Sequence, residues 1–173
     1  MDALLRLFHL DQQDTNSEAE RTQVKAWLRE GFAMLLPTIP AMLVWAIVTA
    51  VAMVAAGLPA GYVILINWLV YAGSAQLAVL SMLVLGASLP LILLTAFIVN
   101  LRFVVFSGTT KPFFRGLPLR FRLLYGFLTG DVPLMIFLNR FKNGPADARM
   151  GADVQQKAIF IGLGLANLVA WQI

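Results

Sequence analysis

Apolar residues in this chain come in long blocks separated by short turns and loops. The first block runs from Gly31 to Gly57 and holds Pro37 and Pro40 near its start. Each proline removes a backbone donor and perturbs the preceding turn, so no clean helix is expected there. Leu58-Pro59-Ala60-Gly61 reads as a tight uncharged turn. The second block, Tyr62 to Leu85, is interrupted by Ala72-Gly73-Ser74, and Gly86-Ala87-Ser88 closes it. The third, Leu89 to Phe106, would make a helix of roughly 27 Å and carries Asn100 and Arg102 near its end. A fourth block, Leu123 to Leu138, is broken by Gly126, Gly130, Asp131 and Pro133. A polar loop, Asn139 to Lys157, leads to a last apolar segment, Ala158 to Ile173. That segment has no polar tail, so the expectation is either a chain that is part of something longer, the favoured reading, or a final helix that finishes in the interface.

Between Glu30 and Arg102 there is no Asp, Glu, Lys or Arg. The stretch is about three times what one spanning helix needs, roughly 20 residues. So small a chain would have to wrap a soluble core of that size in polar surface. Barrel strands alternate apolar and polar over about 10 residues, and these blocks show no such alternation. Composition agrees: the 173 residues are 60% hydrophobic and 13% charged, against about 25% charged in soluble domains, and the mean hydropathy is +0.79. The expectation is an all-α, polytopic helical membrane protein with interrupted or re-entrant helices, of the kind found in inverted-repeat transporters.

The basic residues refine this picture. The net charge is +4, but Lys111, Arg115, Arg120 and Arg122 sit in a short loop beside apolar spans, as do Arg21, Lys25 and Arg29 before Gly31. That is the positive-inside pattern of cytoplasmic loops, not a nucleic-acid surface. Both segments should be cytoplasmic, yet three plain crossings between them would put them on opposite sides. The conflict disappears if one block does not cross, and the second, with Gly73 at its middle, is the best choice. The loop from Asn139 to Lys157 is also basic, and the same remedy applies to the fourth block. Irregular backbone at membrane depth is tolerated where it is buried in protein or lines a cavity.

Residues 1–30 form a polar cytoplasmic leader to a membrane domain over 31–173. Ser17 and Glu20 fit a capping box opening a helix with Val24, Trp27 and Leu28 on one face. Such a helix either lies on the membrane surface or simply leads into the first span. No apolar stretch near the N-terminus resembles a cleavable signal.

Chemistry concentrates at the interruptions. Gly/Pro-broken apolar segments point to transporter binding sites, and here they hold Gly73-Ser74-Ala75-Gln76 and Thr129-Gly130-Asp131-Val132-Pro133. Unwound backbone offers N–H groups at one half-helix end and C=O groups at the other, attracting anions and cations respectively. An amino acid suits such a site. Asp131 is an ionisable group inside an apolar block, a functional residue by default. Burial favours the protonated form of a carboxyl, so Asp131 either couples transport to protons or holds a substrate ammonium. The alternative is a static ion pair with Arg102. Arg102 in turn either meets a substrate carboxylate or snorkels to the interface. Asn67, Gln76 and Asn100 serve substrate contact or helix–helix hydrogen bonding, with Gln76 first because it follows the break. Trp45, Trp68 and Trp171 read as interfacial or packing aromatics.

Enzyme chemistry finds few residues. An intramembrane aspartyl protease needs two carboxylates sharing a proton, and Asp131 is the sole acid between Glu30 and Asp147. Cysteine is absent and His9 is the only histidine, so neither a catalytic histidine in the membrane nor a metal cluster is expected, and no cofactor.

Taken in order, Tyr71-Ala72-Gly73-Ser74-Ala75-Gln76, Asn100-Leu101-Arg102 and Leu128-Thr129-Gly130-Asp131 resemble the AzlC family, the large subunits of branched-chain amino-acid exporters. That family has an Ala-Gly-x-x-Gln segment, an Asn-Leu-Arg helix end and a Thr-Asp pair, and Pro37 fits its Pro-containing first helix. The resemblance runs from about Gly31 to the C-terminus. It implies a bacterial inner-membrane permease with a cytoplasmic N-terminus. Such a permease exports Leu, Ile or Val on the proton-motive force, together with a small AzlD-type membrane partner. It implies Gly73, Gln76, Asn100 and Arg102 for substrate and Asp131 for proton or ammonium, and Ser74, at the break, joins the substrate candidates. Three departures stand out: Gly130 separates Thr129 from Asp131, Ala41-Met42 follows Pro40 where Phe-Gly is expected, and family members continue past the Trp171-Gln172 region. The competing reading is a non-transporting or channel-like membrane subunit that needs a partner for activity.

Overall fold

The computed structural model describes residues 18–70, 72–146 and 151–172. His9 and the Ser17 half of the expected capping box lie outside them. Among the described residues the chain forms nine α-helices: α1 (Glu18–Leu35), α2 (Ile39–Ala55), α3 (Ala60–Leu69), α4 (Gly73–Val84), α5 (Leu89–Asn100), α6 (Arg102–Thr110), α7 (Leu119–Phe127), α8 (Asp131–Arg140) and α9 (Val154–Gln172). Two helical runs are long and apolar enough to cross a bilayer, Glu18–Ala55 and Leu89–Thr110. The protein is an all-α membrane protein.

Local chemistry explains the punctuation. Pro37 sits in a 3-10 turn, Leu36–Thr38, between α1 and α2, and Pro40 is the second residue of α2, where a missing N–H costs nothing. Helices α2 and α4 end alike. Gly57 and Gly86 adopt φ of 87° and 67°, and the following Leu58 and Ala87 N–H groups donate back to Met53 and Met82 carbonyls at 3.2 and 2.9 Å. This is the glycine-dependent Schellman ending. Pro59 then caps α3, and Pro90 occupies the first turn of α5.

The chain divides into two compact units, Met1–Thr38 with Phe106–Asn167, and Ile39–Val105 with Leu168–Ile173. In the first, α1 buries Val24, Gly31 and Leu35, one stripe at helical spacing. A Cβ on Gly31 would run into the Ile159 carbonyl, and one on Gly162 into that of Leu28. The two backbones therefore touch, as small residues allow between membrane helices. The apolar face of α1 packs on α9.

Phe113, Phe114, Tyr125, Phe137 and Phe160 form the aromatic core of this unit. Phe114 lies 4.6 Å from Tyr125 and 5.0 Å from Phe160, and Phe137 lies 5.1 Å from Phe160 edge-on. Such pairs add about 0.5–1.5 kcal/mol each beyond area burial. Helices α7 and α8 flank the fourth block's break and bend by 109° across it. The loops at the two ends of this pair meet. The Ala152 N–H donates to the Phe113 carbonyl at 2.7 Å, and Gly151, at φ 96°, fits against the carbonyls of Phe113 and Arg115. Gln156 ties the second loop down, accepting from the Ala146 N–H at 2.9 Å and donating to the Gly144 carbonyl at 3.1 Å. At the end of α8, Arg140 pairs with Glu30 of α1 at 3.4 Å.

In the second unit Met53, Val63 and Leu80 form the buried centre, with Ala50, Leu58 and Ile66 against it. The second block is two helices, α3 and α4, parted at residues 70–72. Helix α9 runs roughly 28 Å and is buried over Ala158–Gly164, and its Gln156 and Asn167 are buried as well.

Candidate functional site

The break in the second block is stitched by one side chain. Gln76, 6% exposed, donates from Nε2 to the Asn67 Oδ1 at 3.2 Å and to the Val70 carbonyl at 2.5 Å. It thus joins the end of α3 to the first turn of α4. Gln172 of α9 donates to the Asn67 backbone carbonyl at 3.1 Å. The Ala72 N–H also reaches Val70 O, at 2.9 Å. Carbonyls freed by unwinding are thereby satisfied, as burial demands.

Gly73 opens α4 beneath two indoles. A Cβ there would lie 2.5 Å from the Trp171 ring and 2.7 Å from Trp45 Nε1. Its backbone has no positive φ, so glycine is required here for space. Sequence reasoning took Trp45 and Trp171 as packing or interfacial aromatics, and their packing is against the break itself.

Below the break lies a cavity of about 290 Å³ between α2, α3, α4 and α5. Its walls are apolar, including Met53, Ile66, Leu80 and Ala96, and its polar residues are Gln76 and Asn100. Small-molecule sites usually start at about 300 Å³. Of the site residues expected from sequence, Gln76 and Asn100 line this space, and Gly73, Ser74 and Arg102 are not in its described lining. Among the described residues, Ser74 Oγ, Gln76 Oε1 and Asn100 Oδ1 are buried without a hydrogen-bond partner. Each such group costs about 1–3 kcal/mol. Gln76 and Asn100 are also the polar residues that border the cavity, whose wall is otherwise apolar.

Arg102 is half-buried at the start of α6, its guanidinium over the Phe103 ring at 5.1 Å. The third block runs on past Phe106 to Thr110 as part of a 22-residue helical run. Arg102 is therefore deeper in its helix than the block's apparent end suggested, because Ser107, Gly108 and Thr109 continue the turn despite their polarity.

Asp131 belongs to the first unit and Arg102 to the second. Asp131 is the first residue of α8, with Gly130 as its N-cap, and it is exposed on the chain. Its position is one where unsatisfied N–H groups favour an anion. Pro133 fits the same turn for lack of an N–H. The break that presents Asp131 rests on α9: a Cβ on Gly130 would lie 2.7 Å from Asn167 Nδ2, and one on Gly164 2.7 Å from Leu128 Cβ. Thr129, buried here, donates its hydroxyl to the Tyr125 carbonyl at 2.9 Å. Nothing in the spacing of Asn167 or Gln172 marked them as partners of the two breaks, since their contacts are long-range.

No curated protein and no solved structure matches the chain. The family described as AzlC protein matches residues 37–173, which takes in both breaks, the cavity and Asp131. The chain belongs to the AzlC family.

Proposed function

We propose that this protein is a permease that exports branched-chain amino acids across the bacterial inner membrane, with its N-terminus cytoplasmic. Membership of the AzlC family makes it a membrane protein related to branched-chain amino-acid transport, in a family associated with transport and not with enzymes. The observation that carries the finer reading is the cavity: apolar walls for a branched side chain, and two amide side chains at its edge for the polar end. The break at residues 70–72 lies beside it, the arrangement expected of alternating-access sites. The N–H groups opening α4 and the Ser74 hydroxyl suit the carboxylate.

Asp131, on the second break, is our candidate for coupling efflux to protons. A small AzlD-type membrane partner fits the run Leu89–Thr110, most of whose apolar side chains, including Leu93, Phe97, Val104 and Val105, are exposed on the chain and need lipid or a second subunit to cover them.

Leucine counterflow in proteoliposomes tests this reading. Ala96→Phe, which fills the cavity, should abolish exchange in a chain that still elutes as a folded species. Asp131→Asn should remove the pH dependence of net efflux. Undiminished exchange by Ala96→Phe would dismiss the cavity as the pathway, and unchanged pH-dependent efflux would take Asp131 out of the mechanism.

A further inference from the structure

Helix α7 has two faces. Phe121 and Tyr125 are buried in the aromatic core of the first unit, and Leu119, Leu123 and Phe127 are exposed. The exposed three recur every four residues and so form one apolar stripe along the helix. At 3.6 residues per turn, Arg120 and Arg122 fall on opposite sides of that stripe, both in the first turn and both exposed. On the same face Gly126 leaves open space, since a Cβ there would meet nothing within 4 Å. The face is apolar along its length and cationic on both flanks at one end.

Little acid is at hand to offset those cations. From Gly31 to Gly130 the chain has no Asp or Glu. Glu30 is taken up by Arg140 at 3.4 Å, and Asp153 accepts the Gln156 N–H at 2.7 Å. The Arg120 guanidinium lies over the Phe121 ring at 4.7 Å, a contact that orients the charge and does not neutralise it. The loop leading into α7 is pinned by buried Phe113, Phe114 and Leu117, and it carries Lys111 and Arg115 exposed. Water disfavours the stripe, and hydrocarbon disfavours the arginines. Both are satisfied when the first turn of α7 stands in the headgroup layer and the stripe runs down among acyl chains. Guanidinium groups there match a phosphate in shape and charge.

We propose that the exposed face of α7 is a site for an anionic phospholipid. Arg120 and Arg122 hold its phosphate, Lys111 and Arg115 add to the local positive potential, and an acyl chain lies along Leu119, Leu123 and Phe127. The lipid belongs to the leaflet that faces the basic loop. The site stands apart from the permease reading and does not depend on it.

Native mass spectrometry of the full chain in nonionic detergent, titrated with phosphatidylglycerol or phosphatidylcholine, tests the site. Phosphatidylglycerol should bind more tightly. Each basic side chain near an anionic lipid surface is worth a factor of about five in affinity. Arg120→Gln with Arg122→Gln should therefore weaken phosphatidylglycerol about 25-fold. Arg122→Gln alone, which keeps the Arg120–Phe121 contact, should weaken it about fivefold and gives the reading if the double variant does not fold. Arg29→Gln with Lys142→Gln removes the same charge from two other exposed positions of the unit and should leave binding nearly unchanged. Leu123→Asn, which interrupts the stripe and spares both arginines, should weaken the lipid as well. Glycerol 3-phosphate, a headgroup without chains, should not displace it. Equal binding of the two lipids would overturn the proposal. So would an equal loss from the Arg29/Lys142 pair, which would reduce the effect to net charge. Displacement by glycerol 3-phosphate, or an affinity indifferent to Leu123→Asn, would overturn it by removing the acyl chain from recognition.

Discussion

Gly73 shows how a single residue type can be recognised in sequence for one reason and required in the structure for another. Its place in the middle of an apolar block marked an interruption, and the interruption exists. The glycine is needed, however, because two indoles occupy the space of a side chain. Gly73→Ala should therefore destabilise the chain by about 1–3 kcal/mol, the usual range for overpacking. Gly61→Ala is the control, since a Cβ there meets nothing within 4 Å and alanine favours a helix over glycine by about 0.5–1 kcal/mol. Thermal unfolding in detergent should show Gly73→Ala below the wild type and Gly61→Ala at or above it. Equal melting of the two variants would mean that the indoles yield freely. Gln76 was legible as a polar residue beside the break. Its role in bridging Asn67 and Val70 was not, because that depends on the angle at which α4 leaves α3.

At the scale of elements, proline and glycine made the boundaries readable. The 3-10 turn at Leu36–Thr38, the turns after Gly57 and Gly86, and both broken blocks follow from rules that act within a few residues. What local rules could not reach is which helices touch. Val24, Leu28, Gly31 and Leu35 form a stripe compatible with a membrane surface or with packing, and only the structure shows α9 against it. The same holds for α9, whose Gln156 and Asn167 look out of place in a spanning helix until burial is seen. Gly162→Ala would push a methyl group into the Leu28 carbonyl, and backbone cannot give way as a side chain does. A loss of about 2 kcal/mol or more in stability is expected. Gly126→Ala, in open space on α7, should leave the melting temperature unchanged or raised. Wild-type melting of Gly162→Ala would separate α1 from α9.

For the whole molecule, the charge pattern and the hydrogen bonds bear on one question, how often the chain crosses the bilayer. Positive-inside reasoning asked that residues 21–29, 111–122 and 139–157 share a side, against a simple count of apolar blocks. Within the first unit the Ala152–Phe113 hydrogen bond joins the second and third of these segments. The Arg140–Glu30 pair joins the end of α8 to α1. Two loops hydrogen-bonded to each other should lie on one side of a membrane, so the expectation for the α7–α8 pair, bent by 109°, is that it enters and returns. Each of its helices is 9 or 10 residues long, roughly 14 Å and half of a 30 Å core. Between the N-terminal segment and Lys111 the two long runs, Glu18–Ala55 and Leu89–Thr110, supply an even number of crossings. If the two basic segments share a side, that arithmetic predicts that α3 and α4 form a second pair that returns to its starting side. Of the three boundaries between the two units, the one at Ile39 follows the proline-marked turn, but those at Phe106 and after Asn167 fall inside helices and were invisible in the sequence. The chain has no cysteine, so single introduced cysteines report position directly. Gln23→Cys, Lys111→Cys and Lys142→Cys should react with an impermeant maleimide only when the cytoplasmic face is opened. Ala56→Cys and Ala87→Cys, at the two ends of the α3–α4 segment, should both react in intact cells. Labelling of Ala56→Cys and Ala87→Cys from opposite sides would make that segment a crossing. Opposite labelling of Lys111→Cys and Lys142→Cys would contradict the hydrogen bond between their loops.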